Sequence, residues 1–365
     1  MMKLNRSISG TKNIRIKIGN KYIGLYEPTY IIAEAGVNHN NSLNRAKELI
    51  IKAANAGADA IKFQTYKAAR LVTKTAPRFW EWKGEPKKHG TQYDSYATMD
   101  VDQFPLKHYP ELIRTCKKHN IEFLSTPFDE DSAYALVKLG MKAIKVSSSD
   151  VTNVPFLSYL AKFKLPILLS VGASTVGEIE EAVQTIEQAG NKKIVIMQCT
   201  LVYPTPFEHT NLRVIPTLAT LFPGYPIGLS DHTLGTHIPP AAVALGARMV
   251  EKHYTVDKSL PNSPDHHLSV NPAELKEIVH AIRHVEEALG ESRKYVLPAE
   301  HRTYLYDKRS LVTARDIRKG QKITKAMLTY KRPGTGIRPK FLDTVIGRIA
   351  MDDIPADTTI TWGMV

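Results

Sequence analysis

Eight short apolar runs within the first 253 residues each end in side chains able to do chemistry. Glu34 closes the first, Lys62 and Gln64 the second, and Ser125-Thr126 the third. Lys145, then Ser147 to Asp150, closes the fourth, and Ser170 the fifth. The sixth reaches Gln198-Cys199-Thr200 with Tyr203 beyond it; the seventh gives Ser230-Asp231-His232 and the eighth Glu251-Lys252-His253. A polar residue at the end of a strand is ordinary, but this set is not. Charges such as Glu34, Lys62, Lys145 and Glu251 are costly on an inward face unless they are paired or bind a ligand. Two lysines among Ser and Thr hydroxyls suit a ligand bearing a phosphate and a carboxylate. His232 and His253 end consecutive runs, 21 residues apart, with Glu34, Asp231, Glu251 and Asp265 available nearby. Such a group suits a divalent ion with open positions, Mn²⁺, Fe²⁺, Co²⁺ or Zn²⁺. By spacing alone, two structural histidines among the chain's 13 stand as an equal alternative. Cys199 lies in an apolar run and Cys116 in a helix-like one, so neither is expected to be a ligand.

The elements that must position these residues follow one repeating pattern. Strands are predicted over 30–34, 60–64, 121–126, 143–147, 166–170, 194–199, 226–231 and 249–253, with helical spacing between them. In 42–56, Leu43, Ala46, Leu49, Ile50 and Ala53 recur at helical intervals, Ser42 is placed to cap and Gly57 to stop. Ser174-Thr175 opens a second such helix, which runs to Ala189. Alternating strands and helices argue for parallel units, and eight of them fit a closed (β/α)₈ barrel of about 250 residues. An open doubly wound sheet is the competitor, but no GxGxxG follows the first strand. In a barrel, the loops at the C-terminal strand ends build the active site, where the polar residues above fall.

A polar stretch over 290–308 reads as a linker, and the barrel domain is expected over 1–289 with an N-terminal β-hairpin cap. Residues 309–365 read as a small β-rich domain, with runs at 310–313, 323–324, 328–332 and 345–350. Within it, Asp316-Ile317…Ile323-Thr324 recurs as Asp353-Ile354…Ile360-Thr361 at a constant offset of 37, which suggests two related halves.

The chain has 365 residues, 43% hydrophobic and 23% charged, which excludes general disorder. Its net charge of +13 is read first as a solvated basic surface. Basic residues interleave with acids and no recognition module appears, so nucleic acid is not expected as a partner. Apolar stretches such as 166–171 fall well short of the ~20 residues of a membrane span, and the basic N-terminus lacks a signal-peptide core. With only two cysteines, a cytoplasmic setting and no membrane partner are the expectation.

The segments IIAEAGVNHN (31–40), DAIKFQTYKA (59–68), FLSTPFD (123–129), PIGLSDHTLG (226–235) and VEKHYTVDKSLPNSPDH (250–266) resemble the sialic acid synthase family, which includes N-acetylneuraminate, legionaminate and pseudaminate synthases. The tail, SLVTARDIRKGQKIT…YKRPGTG, resembles that family's antifreeze-like SAF domain. The resemblance implies metal-dependent condensation of phosphoenolpyruvate with an N-acetylated amino-sugar aldehyde, N-acetylmannosamine or a related hexose. The product would be a nine-carbon 2-keto acid, with phosphate released by C–O cleavage. It implies His232 and His253 as ligands of a divalent metal, Mn²⁺ first, with Mg²⁺ or Co²⁺ as alternatives. Lys62, Thr126, Lys145, Ser148, Ser170 and Ser230 would hold phosphoenolpyruvate. Glu34 and Glu251 would move protons, Gln64, Tyr203 and Asp265 would bind the sugar, and Lys145 and Asp150 would complete the catalytic set. A homodimer is implied in which one subunit's SAF domain covers the partner's barrel and Arg332 reaches in.

Three departures bear on that mapping. Lys145-Val-Ser-Ser-Ser-Asp150 stands where KIGSGE is a frequent pattern, Leu201 where sialate synthases carry Asn, and residues 79–88 form an insertion read as a substrate loop or a solvated one. Alternative readings are a synthase for legionaminic or pseudaminic acid, a sugar-phosphate substrate, another phosphoenolpyruvate-condensing barrel making a shorter keto acid, and a non-catalytic carbohydrate- or ice-binding protein. The SAF-like tail argues against the shorter-acid barrel, and the charged strand ends argue against the binder.

Overall fold

The computed structural model describes residues 14–80, 90–260, 263 and 265–365. The chain divides into two compact units, Met1–Gly290 and Glu291–Val365. The first unit opens with a hairpin of β1 (Ile16–Ile18) and β2 (Lys21–Ile23), with Ile16 opposite Ile23. Their isoleucines are buried in the core of the unit. Lys21 bonds to Asp59, whose carboxylate also accepts from the Ile31 amide at 2.6 Å. Asp59 immediately precedes a sheet strand, so these bonds seat the hairpin at the N-terminal end of the sheet.

That sheet has eight parallel strands: β3 (Tyr30–Gly36), β4 (Ala60–Thr65), β5 (Glu122–Pro127), β6 (Ile144–Val146), β7 (Ile167–Ser170), β8 (Ile194–Cys199), β9 (Ile227–Asp231) and β10 (Met249–His253). They follow the eight predicted runs closely. The order β5-β4-β3-β10-β9-β8-β7-β6 joins first strand to last, and β5 packs beside β6, which brings the sheet round into a barrel. Every residue of β3, β6, β7, β8, β9 and β10 is buried, as a parallel sheet covered by helices requires. The helices have the predicted signals. Leu43–Ala56 is capped by the Ser42 side chain and ends at Gly57, whose φ of 92° completes the turn. Val176–Gln188 begins with a capping box between Thr175 and Glu178. No helix among the described residues is long and apolar enough to cross a membrane.

The second unit has its own core, which includes Leu311, Ile317, Ile323, Val345, Ile354 and Ile360. Its regular sheet is only β11 (Ser310–Thr313) against β12 (Leu328–Lys331); the runs expected at 323–324 and 345–350 meet instead through single bonds, Ile323 N–H to the Arg348 carbonyl and Gly347 N–H to the Ile323 carbonyl, beside the isolated bridge Lys322–Ile349. Within the stretch read as a linker, His301–Tyr306 is helical. The 37-residue echo takes the form of reciprocal bonding. Ile317 and Ile354 exchange both backbone bonds, at 2.9 and 2.8 Å. Asp353 Oδ1 accepts from the Lys319 amide at 2.8 Å, and the equivalent Asp316 Oδ1 from the Ala356 amide at 2.7 Å. Gly320 donates to Ala350 just as its counterpart Asp357 donates to Thr313, both from left-handed φ, 79° and 61°. Each half therefore closes the turn of the other.

Candidate active site

Strand alternation aims every second side chain inward, and at the C-terminal end of the barrel these side chains surround an open-mouthed pocket of about 360 Å³. Glu34, Lys62, Gln64, Thr126, Lys145, Ser148, Ser170, Tyr203, Ser230, His232, Glu251 and His253 all line it. Lys62 Nζ lies 2.8 Å from Glu34 Oε2 and donates to Thr126 Oγ1 at 2.7 Å. Glu251 Oε1 sits between the lysines, 3.6 Å from Lys62 Nζ and 3.7 Å from Lys145 Nζ, and accepts from Ser230 Oγ at 3.3 Å. Gln64 Nε2 donates to Glu34 Oε1 at 3.0 Å. Ser148 accepts the Gly172 amide at 2.9 Å, which leaves its own proton to donate.

Burial sets the electrostatics. It pushes Glu34, 1% exposed, up to about 7, against the pull of Lys62 and with added repulsion from Glu251. Burial also opposes the charge on Glu251, but Lys145, Lys62 and His232 together hold that carboxyl below the usual range. The two glutamates thus differ in kind: one shares a proton near neutrality and the other stays ionised. Lys145 is lowered by burial, whereas Lys62 overcomes burial through its two carboxylate neighbours and is raised.

The imidazoles of His232 and His253 stand with centroids 5.2 Å apart. His232 Nδ1 meets the Thr200 carbonyl at 2.8 Å, so Nδ1 carries a proton. Burial opposes charge on this ring, but Cys199, the Thr200 carbonyl and Asp231 raise it above the usual imidazole range, so Nε2 offers a lone pair once its own proton is lost. His253 Nδ1 is buried without a hydrogen-bond partner, 3.5 Å from Asp265 Oδ2. Ser170 Oγ and Glu251 Oε2 are likewise buried and unpartnered, and such atoms in a pocket wall call for a ligand. Among the described residues, no three His, Cys, Asp or Glu side chains converge as a metal-holding group. The protein offers an imidazole pair with one orphaned nitrogen, which fits a divalent ion whose other positions are filled by oxygen.

Three expected residues stand apart from this wall. Asp150 ends the short turn Ser148–Asp150; the turn points Ser148 inward, while Asp150 accepts from Asn153 Nδ2 at 3.1 Å. Asp265, on the segment after β10, is not part of the lining, but its Oδ2 lies 3.5 Å from His253 Nδ1 and its carboxyl feels the charges of His232 and Lys62. Arg332 lies in the second unit, 63% exposed and ion-paired to Asp307 at 2.7 Å. Most of the insertion at 79–88 lies outside the described residues.

The pocket also contains Phe128, Ser147, Cys199 and Leu201. Cys199, not expected among the ligands, nonetheless lines the pocket. Its Sγ lies 3.9 Å from His232 Nδ1, because it is the last residue of β8 and the apolar run ends at the pocket rather than in the core. Ser147, two residues after Lys145, was open to the same alternation argument that paired Lys62 with Gln64. Tyr203, 45% exposed, places its ring 4.0 Å from that of His232 and forms a platform at the rim.

Residues 49–294 match the NeuB family, and residues 308–365 the SAF domain. The N,N'-diacetyllegionaminic acid synthase of Legionella pneumophila is 41% identical over 91% of this chain and 93% of its own. The human N-acetylneuraminate-9-phosphate synthase is 34% identical over 93% of each. The crystal structure of the N-acetylneuraminic acid synthetase from Leptospira borgpetersenii, in complex with citrate, superposes with a TM-score of 0.70 at 34% identity, covering 80% of this chain and 95% of that one.

Proposed function

The chain belongs to the NeuB family, carries a SAF domain and is an enzyme of the sialic-acid-synthase type; from that premise we propose that it condenses phosphoenolpyruvate with an N-acetylated amino-sugar aldehyde. The product is a nine-carbon 2-keto acid of the sialic type, and phosphate leaves by C–O cleavage. The observation that carries this reading is the pairing, in one pocket, of the buried Lys62 and Lys145 with Thr126, Ser148, Ser230 and the unpartnered Ser170 hydroxyl. Two fixed cations and a ring of donors suit a small ligand bearing both phosphate and carboxylate.

In this reading the lysines and hydroxyls hold phosphoenolpyruvate with its methylene carbon facing the sugar aldehyde, in a near-attack arrangement. Gln64, Tyr203 and Asp265 bind the sugar. As the new C–C bond forms, the aldehyde C=O π bond breaks and its oxygen, becoming a hydroxyl, takes the proton held on Glu34. Positive charge is left on the adjacent carbon of phosphoenolpyruvate, to be met by the ionised Glu251. Water adds there, giving up a proton to Glu34, and phosphate departs from the resulting tetrahedral centre. His232 and His253 hold the divalent ion, Mn²⁺ first, with Mg²⁺ or Co²⁺ as alternatives; when bound, it supplies Lewis-acid polarisation of the aldehyde oxygen. Asp150, turned toward Asn153, acts at most through the Ser148 turn. By the same family likeness, we propose a homodimer whose SAF domains serve each other's barrels through Arg332.

Among the sugars, N-acetylmannosamine is the first reading, and a diacetamido-trideoxy hexose leading to a legionaminic-type acid is the second. The higher identity to the Legionella enzyme favours the second, as does Leu201 in the pocket wall, an apolar surface that accepts a methyl group better than a hydroxyl. The test uses phosphoenolpyruvate with ¹⁸O in the bridging position. The label is expected in inorganic phosphate alongside a nine-carbon acid by mass; label retained in the sugar acid would refute C–O cleavage.

A further inference from the structure

Behind the two imidazoles, on the face of β9 and β10 turned away from the pocket, lies a charged cluster without a role in the reaction above. Glu251 and His253 point inward, so the intervening Lys252 points outward, as does Asp231 between Ser230 and His232. Both side chains are 1% exposed, and Lys252 Nζ lies 2.7 Å from Asp231 Oδ2. The lysine also donates to the Thr233 carbonyl, and to Thr233 Oγ1 at 3.3 Å. Asp231 in turn accepts the Thr233 amide at 2.9 Å and the Thr233 hydroxyl at 3.1 Å. The network is closed: the ammonium and the carboxylate are satisfied by each other and by Thr233, and neither reaches the pocket.

Such a pair is an expensive filling for the space between strands and helices, where Val or Ile would normally pack. Replacing a buried ion pair by apolar residues is often neutral or stabilising, so stability alone does not explain it. Its location does. Lys252 adjoins His253 in sequence, and Asp231 and Thr233 flank His232. The bond ties the end of β9 to β10 at the level of both rings and fixes the turn through Asp231, His232 and Thr233. On the pocket side, the Thr200 carbonyl holds the His232 ring and the His232 carbonyl accepts the Thr205 amide at 2.9 Å, so His232 is held from both faces.

We propose that Lys252 and Asp231 are positioning residues that hold His232 and His253 at the separation and tilt needed to share one divalent ion. The inference rests on the metal assignment proposed above. Outer partners of metal ligands typically contribute 10- to 100-fold in affinity, and this clamp acts through the backbone of both ligands at once.

The test measures the apparent dissociation constant for Mn²⁺ on the full-length protein, from the electron-paramagnetic signal of the free ion. The proteins are wild type, Lys252→Met, the double variant Lys252→Met/Asp231→Leu, and His232→Ala as control. Lys252→Met leaves Asp231 buried and unpaired and is expected to lower both the melting temperature and Mn²⁺ affinity. The double variant removes both charges; it is expected to regain the melting temperature while binding Mn²⁺ at least about tenfold more weakly than wild type. The double variant carries the test even if the single variant fails to fold. Wild-type affinity in a folded double variant, with His232→Ala impaired, would overturn the clamp and leave the metal site standing. Wild type that binds no Mn²⁺ would overturn both.

Discussion

Glu34→Gln is the substitution with the most to say about the pocket. The amide keeps the shape and the bond to Gln64 but cannot ionise. In the folded protein Glu34 titrates near 7, pushed there by burial against the pull of Lys62, whereas a free glutamate titrates at 4.5. A difference of roughly 2.5 units at 1.36 kcal/mol each amounts to about 3 kcal/mol. The sign follows from proton counting. Between the two values the folded state holds a proton that the unfolded state has lost, so wild-type stability falls as pH rises from 4.5 through 7. The glutamine variant lacks that decline. Chemical unfolding of the barrel at pH 5 and pH 8 is therefore expected to show similar stabilities at the lower pH and an advantage of up to about 3 kcal/mol for Glu34→Gln at the higher. Activity is expected to move the other way. If Glu34 takes the proton of the attacking water, the limb of the rate profile near pH 7 disappears in the variant, and turnover falls on the order of 10²- to 10⁴-fold. A stability difference that stays constant from pH 5 to pH 8 would refute the reasoning, since Glu34 would then ionise like an exposed carboxylate.

His232→Ala and His253→Ala are each expected to abolish metal-dependent turnover while circular dichroism stays that of the native protein; normal activity in either variant without metal would remove both from the ligand set. Lys145→Ala is expected to be inactive in the barrel and Arg332→Ala in the SAF domain. Mixed heterodimers of the two should recover part of the activity through one intact composite site, and no recovery in verified heterodimers would count against exchange of the SAF domains.

The barrel was legible in the sequence because its signals are local. β-Branched runs such as 194–199 are bounded by polar residues, and Ser42, Gly57 and Thr175 sit at helix ends where capping chemistry demands them. The charged pocket was legible because charge at a strand end is anomalous, and alternation carries Lys62 with Gln64 and Glu251 with His253 to one face. The echo in the tail was legible as repetition, but not its meaning: that Asp316 and Asp353 each cap the other half depends on contacts 40 and 34 residues away. Cys199 was passed over because a thiol closing an apolar run packs like a small hydrophobe, and its place beside His232 depends on the turn that follows β9. The place of Asp150 was obscured because a single short turn decides which of Ser148 and Asp150 faces inward. Lys252 and Asp231 looked like more polar strand-end residues, and only three-dimensional packing shows them bonded to each other behind the site.

The most direct measurement is phosphate release from phosphoenolpyruvate with Mn²⁺ and a panel containing N-acetylmannosamine, its 6-phosphate and the diacetamido-trideoxy hexoses, with and without chelator. Release with one sugar, lost on chelation and restored by Mn²⁺, is the expected result and would identify the substrate as well. No release with any sugar would contradict the proposed condensation, and release that persists unchanged in chelator would contradict the role of His232 and His253.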